Sequence, residues 1–238
     1  MCTVTYLPLG NSDFILTSSR DIPFARKKAT HPKKYVEDGI ELWYPKDGKA
    51  GGTWIGLSEN KRLICLLNGG FVYHTSRENY EKSRGLIVKE LLRCADIRKG
   101  LERVDLNGVE QFTLTIVDWN DRLELLEFVW DGVEKHLKVL PQQAHIWSSA
   151  TLYDSGVKQL REDWFAKWQE KNEIEQASIL DFHHTAGIGD QCIDVLMNRG
   201  QGGTVSITSV KKENRQLIMK YEDVFTHQKS ELNGKVTV

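Results

Sequence analysis

Cys2 is the residue whose position carries the most chemistry. It follows the initiator Met, and methionine is normally removed when the second residue is as small as cysteine. Removal leaves a free α-amine on Cys2, titrating at about 7.7–8.0 against about 8.5 for a thiol, so the amine can accept the thiol proton near neutral pH. Nucleophile and base then belong to one residue. The alternative is a cysteine that merely begins a strand. Ser19-Arg20-Asp21 supplies possible company, because Arg20 can hold a thiolate or a substrate carboxylate and Asp21 can orient an α-ammonium. Against this stands a plain ion pair at a strand end. Asn68 precedes Gly69-Gly70; its side-chain N–H is suited to stabilising an oxyanion, and equally Asn suits a turn.

The elements that must position these residues follow from periodicity. Residues 2–7 alternate and read as a strand, PLGNSD supplies a turn, and 14–21 reads as a second strand; a hairpin brings Arg20 or Asp21 to Cys2. Adjacent residues of a strand point to opposite faces, so both reach Cys2 only if the strand ends or bulges there. The basic stretch 26–34, RKKATHPKK, reads as a loop, and 53–58 and 62–68 as strands joined by ENKR. A helix starts near Gly85. A second strand-rich block runs from 111 to about 153. Val157, Leu160, Trp164, Phe165 and Trp168 mark one face of an amphipathic helix. Further helix is expected over 174–183 and 190–198, and GTVSITSV and RQLIMKYED form a closing hairpin. Hairpin blocks alternating with helical blocks indicate antiparallel sheets covered by helices rather than a doubly wound parallel sheet.

An N-terminal Met-Cys, a Ser-Arg-Asp strand, Gly51-Gly52-Thr53-Trp54-Ile55-Gly56 and a hairpin ending in Asn68 resemble the NRDE family, which includes the transport and Golgi organisation protein 2 group and is related to N-terminal-nucleophile hydrolases. Arg26 matches the Arg that follows the family's Asn-Arg-Asp-Glu, and Ser83-Arg84-Gly85 matches its Arg-Gly. The resemblance implies an α+β fold, a four-layer αββα sandwich of two antiparallel sheets between helical layers, with 1–238 as a single domain. It implies Cys2, Arg20, Asp21 and Asn68 as catalytic residues and Ser149 and Arg26 as substrate-binding residues. The pattern departs at Ser19 and Ile22, at Ser149 where the family's Ser-Asn-Ala has Asn, and at Val205 where its Gly-Thr-Arg has Arg. Gly51, Gly52 and Trp54 read as structural: the glycines shape a tight turn and Trp54 fills the core.

Composition bounds the function. Lys+Arg 32 against Asp+Glu 33 leaves a net charge of -1, which gives no electrostatic reason to expect nucleic acid or an anionic membrane. No apolar run is long enough to span a bilayer, and MCTVTYLPLG is not a secretory signal, so a cytoplasmic location is expected. Cys65, Cys94 and Cys192 form no Cys-x-x-Cys pair, and Cys65 and Cys94 look structural. His183-His184 have no third ligand at metal spacing, and no Gly-x-Ser-x-Gly is present. Neither metal nor cofactor is expected. The resemblance, together with Cys2, implies an N-terminal cysteine hydrolase cleaving a non-peptide C–N amide bond of a small acyl-amide. The alternative that the resemblance implies is an inactive protein of the same fold that binds or traffics a small hydrophobic ligand, haem or lipid-like. Oligomeric state is left open.

Overall fold

A computed structural model describes residues 2–77 and 79–235, with Cys2 described by its backbone alone. The chain forms two compact units, residues 2–26 with 143–235 and residues 27–142.

The first unit is a six-stranded sheet in the order β10-β1-β2-β11-β12-β13. Its strands are β1 (Cys2–Gly10), β2 (Asp13–Pro23), β10 (His145–Ser148), β11 (Gly202–Glu213), β12 (Gln216–Asp223) and β13 (Lys229–Lys235). The expected β1–β2 hairpin is present, turning through Asn11 and Ser12, both with positive φ, the turn geometry whose twist matches paired strands. The Lys212 ammonium donates to the Asp13 carboxylate at 2.8 Å and the Asn214 N–H to its other oxygen, so β11 grips the hairpin's tip. Helices α3 (Ser155–Lys171) and α4 (Gln176–Thr185) cover one sheet face, where Leu7 and Ile15 pack against Phe165, Ile179 and Phe182.

Three expectations change here. Leu160 is 39% exposed, and fully buried Arg161 takes its place in the helix stripe. Residues 190–198 are not helical. The Asp194 carboxylate accepts from the Ile188 and Gly189 N–H groups, Asp190 accepts from Cys192 N–H, and the Ile193 and Asp194 carbonyls accept from Arg161. Those bonds take up the groups a helix would need. The closing hairpin gains a third strand, β13, paired with β12.

The second unit is a seven-stranded antiparallel meander, β3 (Lys33–Glu37), β4 (Ile40–Tyr44), β5 (Ile55–Ser58), β6 (Arg62–Asn68), β7 (Phe112–Asp118), β8 (Glu124–Trp130) and β9 (Lys135–Leu140). The stretch read as a loop runs into β3, which turns through Asp38-Gly39 into β4. Asp-Gly is a strong hairpin signal, masked by the lysines and Pro32 ahead of it. Helices α1 (Arg84–Arg93) and α2 (Ile97–Arg103) lie between β6 and β7 in sequence, and α1 packs on β4, β5 and β6. The two glycine motifs meet here. A Cβ on Gly52 would stand 2.4 Å from the Gly85 carbonyl carbon, and Thr53 N–H donates to the Gly85 carbonyl at 3.1 Å. Only a side chain of hydrogen lets the β4–β5 connection touch the start of α1.

The other end of α1 is closed by Arg62, which is 1% exposed. Its Nε donates to Asp118 at 2.8 Å, and Nη1 donates to the carbonyls of Leu91 and Cys94 at 3.1 and 2.6 Å. One guanidinium thus satisfies carbonyls that a helix end leaves without partners. Replacing Arg62 by Ala strands a buried carboxylate and those carbonyls together. We expect Arg62→Ala to lower unfolding stability in urea by about 3–5 kcal/mol; a loss below about 1 kcal/mol, the scale of an exposed ion pair, would contradict this role.

Candidate functional site

β2 is the second strand from which site residues were read, and it lies between β1 and β11 at the centre of its sheet. Every residue from Asp13 to Asp21 is buried, so both faces of the strand are covered. In the β1–β2 ladder position 2 stands opposite Arg20, and Thr3 opposite Ser19. On the other side Arg20 pairs with Ser206 and Asp21 with Thr204, Val205 being the extra residue of a bulge. The bulge falls on the neighbouring strand, so β2 itself keeps alternating: Arg20 and Asp21 take opposite faces. Arg20, not Asp21, shares the face of position 2. The Cys2 thiol lies outside the described residues.

Arg20 is 5% exposed. Its face continues through Ser18 and Thr208, which stand opposite one another; their buried hydroxyls have no hydrogen-bond partner among the described residues. Ser149 is also buried, one residue past Ser148, which pairs with Thr3, and its hydroxyl lies 3.2 Å from that of Thr151. Cys2, Arg20, Asp21 and Ser149 therefore gather at one end of this sheet. Arg26 follows the end of β2 in a turn closed by its N–H donating to the Pro23 carbonyl. Asn68 belongs to the second unit, where it ends β6 opposite Phe112 and precedes Gly69 at φ 88°.

Asp21 faces the helices and has no exposed surface. Its Oδ1 accepts from the Thr204 hydroxyl at 2.7 Å, and its Oδ2 has no partner among the described residues. Burial pushes its carboxyl up to about 6, while the Thr204 bond and the charges of Arg161 and Arg199 pull the other way without cancelling it. Thr204 is itself pinned: its hydroxyl also accepts from Met197 N–H at 3.0 Å, and its N–H donates to the Met197 carbonyl at 2.8 Å.

Two further groups on this face escaped the sequence reading. Arg161 donates to the Thr3 hydroxyl at 2.5 Å and stacks its guanidinium 3.8 Å from the Tyr153 ring centre. His183, considered only as a metal ligand, lies fully buried between two hydroxyls, Thr5 at 2.9 Å from Nε2 and Ser19 at 2.7 Å from Nδ1. Ser19, one of the departures from the family pattern, is thus a core hydroxyl on the face away from position 2. His184 is spent on Glu222 at 3.2 Å, and no group of three or more metal-ligating side chains occurs among the described residues. The signal for His183 was a polar residue beside Phe182 in the buried stripe of a helix; Arg161 gave none, since Leu160 beside it fits that stripe as well.

Burial holds His183 down at about 3, with the neighbouring charges of His184 and Arg161 acting the same way. Its effect on stability is opposite to that of Asp21. The fold binds the Asp21 proton more tightly than the unfolded chain, so that stability is full below 3.8 and is lost as pH rises to about 6. The fold excludes the His183 proton, so that stability is full above 6.5 and is lost as pH falls towards about 3. The two slopes oppose one another between about pH 4 and 6.

A family model described as Transport and Golgi organisation 2 matches residues 1–228. No curated protein matches the chain. Among solved structures, the chain is similar to penicillin V acylase from Agrobacterium tumefaciens at 11% identity and a TM-score of 0.58, covering 98% of this chain and 86% of that one. It is similar to the Caenorhabditis elegans orthologue of N-acylethanolamine-hydrolyzing acid amidase at 12% identity and a TM-score of 0.59, covering 87% and 92%. A mutant of conjugated bile acid hydrolase from Clostridium perfringens gives 12% identity and a TM-score of 0.56, covering 98% and 92%. These likenesses show the fold: two antiparallel sheets with helices, an α+β architecture shared with these three proteins. No helix among the described residues is long and apolar enough to cross a membrane.

Asp21→Asn keeps an oxygen for Thr204 and removes the ionisation. Relative to the native protein, the variant should gain about 3 kcal/mol of unfolding stability between pH 4 and 7, at about 1.4 kcal/mol per pKa unit. Urea titrations across that range check it; a difference that does not change with pH would contradict a raised, buried carboxyl.

Proposed function

We propose, from the premise that this chain belongs to the Transport and Golgi organisation 2 family, that it is an N-terminal cysteine hydrolase cleaving the C–N amide bond of a small acyl-amide. The observation that carries the reading is the ladder setting position 2 opposite buried Arg20, with Asp21 beside it on the strand and one Asp21 carboxylate oxygen without a partner among the described residues. Two structural neighbours, a penicillin V acylase and an N-acylethanolamine-hydrolyzing acid amidase orthologue, are named for reactions of the same chemical kind.

With the preceding Met removed, the α-amine of Cys2 accepts the thiol proton and the thiolate attacks the substrate carbonyl carbon. Arg20 favours the thiolate by its charge. Asp21 holds the α-ammonium from the neighbouring position. Asn68 and a backbone N–H stabilise the oxyanion, a donor of this kind contributing about 3–4 kcal/mol at the transition state. The C–N bond then breaks as the α-ammonium returns its proton to the leaving amine, leaving a thioester on Cys2. Water, activated by the same amine, attacks the thioester and releases the acid. Ser149 and Arg26 contact the substrate. The chain acts as one domain in the cytoplasm.

A second reading, a binding protein without turnover, rests on Val205. That position occupies the bulge facing the site end of β2, and it carries an apolar side chain in place of the family's Arg. The two readings separate by experiment. Cys65 is buried, and burial pushes the Cys94 thiol up, but Cys192 is exposed and must be removed as a competitor. In a Cys192→Ser background with Met1 cleaved, as intact mass verifies, iodoacetamide near neutral pH should label Cys2 first, and Arg20→Ala should slow that labelling. A panel of N-acyl amides should yield free amine, and Cys2→Ala should abolish the yield. Fast labelling without amine release supports the binding reading; an inert Cys2 in the Met-free protein rejects the hydrolase reading.

A further inference from the structure

Beyond the end of β2 the first unit carries a cleft of about 610 Å³, within the size range of small-molecule sites. Its lining is apolar, with Phe24, Leu152 and Met197 as the larger side chains and the glycine-rich backbone of 200–203 as floor. The floor is close because it has no side chains: a Cβ on Gly203 would stand 2.3 Å from the Met197 carbonyl oxygen, and one on Gly202 would stand 3.1 Å from that of Ile22. Phe24 N–H donates to the Gln201 carbonyl at 3.0 Å, which fastens the floor to the end of β2. At the rim Phe24 meets the half-exposed ring of Phe225 edge to face at 5.1 Å.

Among the described residues one charged side chain lines this cleft, Arg199, and no carboxylate does. Arg199 is held in place: Nε donates to the Cys192 carbonyl at 3.0 Å, and Nη2 donates to the carbonyls of Cys192 and Leu152 at 2.9 and 3.3 Å. Its Nη1 makes no hydrogen bond among the described residues. Backbone carbonyls thus orient a guanidinium at an apolar wall and leave one nitrogen to donate, so little side-chain freedom remains to be lost on binding.

We infer that this cleft binds a small monoanion with an apolar, ring-sized body, its carboxylate on Arg199 and its body against Phe24 and Met197. The cleft wall is joined to Asp21 through one residue: Met197 bonds Thr204, which bonds Asp21. Binding here does not depend on hydrolysis, and the test reads it without turnover.

The probe is 2-naphthoate, with 2-naphthamide as its uncharged isostere, titrated into the full chain and into Cys2→Ala and followed by amide NMR shifts. The native protein should bind naphthoate about tenfold more tightly than naphthamide, the value of a hydrogen bond to a charged group. Shifts should centre on Phe24 and Gly200–Gly203. Arg199→Gln should remove that preference and leave naphthamide binding unchanged, while Arg199→Lys should retain most of it. Equal affinity for the two probes in the native protein overturns the inference, even if Arg199→Gln fails to fold. So do shifts that centre elsewhere. Loss of amidase activity in Cys2→Ala with naphthoate binding intact would leave this site standing whatever becomes of the hydrolase reading.

Discussion

The buried carboxylate of Asp21 is the constraint around which the first unit is organised. An ionised group without solvent is costly unless it is met by donors. Its donor Thr204 is supplied by a different strand and is held by Met197 of the preceding segment. The ladder that puts Thr204 against Asp21 bulges at the next residue before pairing Ser206 with Arg20. Satisfying Asp21 therefore fixes how β11 approaches β2, and β2 in turn fixes position 2.

The helix-covered face completes that frame with polar groups where a core usually has apolar ones. Arg161 ties α3 to Thr3, and His183 ties α4 to Thr5 and Ser19, each one residue away from a position on the site face. Those bonds hold β1 and β2 in one register, because a slip of one residue would carry every side chain to the opposite face. Burial disfavours protonation of His183, which therefore does this as a neutral ring with both nitrogens used. Among the described residues Asp21 lacks a partner on one oxygen, which is the arrangement expected of a group kept for a cation rather than for stability.

Much of this was legible in the sequence where local and long-range requirements coincide. The β1–β2 hairpin combines alternation with turn residues, which brings Arg20 or Asp21 to position 2; that Arg20 is the one opposite comes from the ladder's register. Gly51, Gly52 and Trp54 read correctly as structural, although the partner of Gly52, the Gly85 carbonyl, is visible only in three dimensions. Arg161 was not legible: an arginine beside Leu160 on a helix looks like the solvated residue of the pair, and only the carbonyls of Ile193 and Asp194 and the Tyr153 ring make its burial tolerable. Residues 190–198 have the apolar spacing of a helix, but aspartate side chains and Arg161 capture the backbone groups it needs. The Thr204 partnership with Asp21 spans 183 residues of sequence, which no local pattern reports.

The central claim is that Asp21 is a buried carboxylate whose ionisation the fold opposes. The direct measurement is the pH titration of its side-chain carboxyl by carbon-13 NMR in the folded protein, with Asp21→Asn used to assign the signal. The account predicts a midpoint near 6, well above the ordinary aspartate value of 3.8. A midpoint at or below the ordinary value would show a carboxylate already stabilised by its surroundings, and would contradict the account.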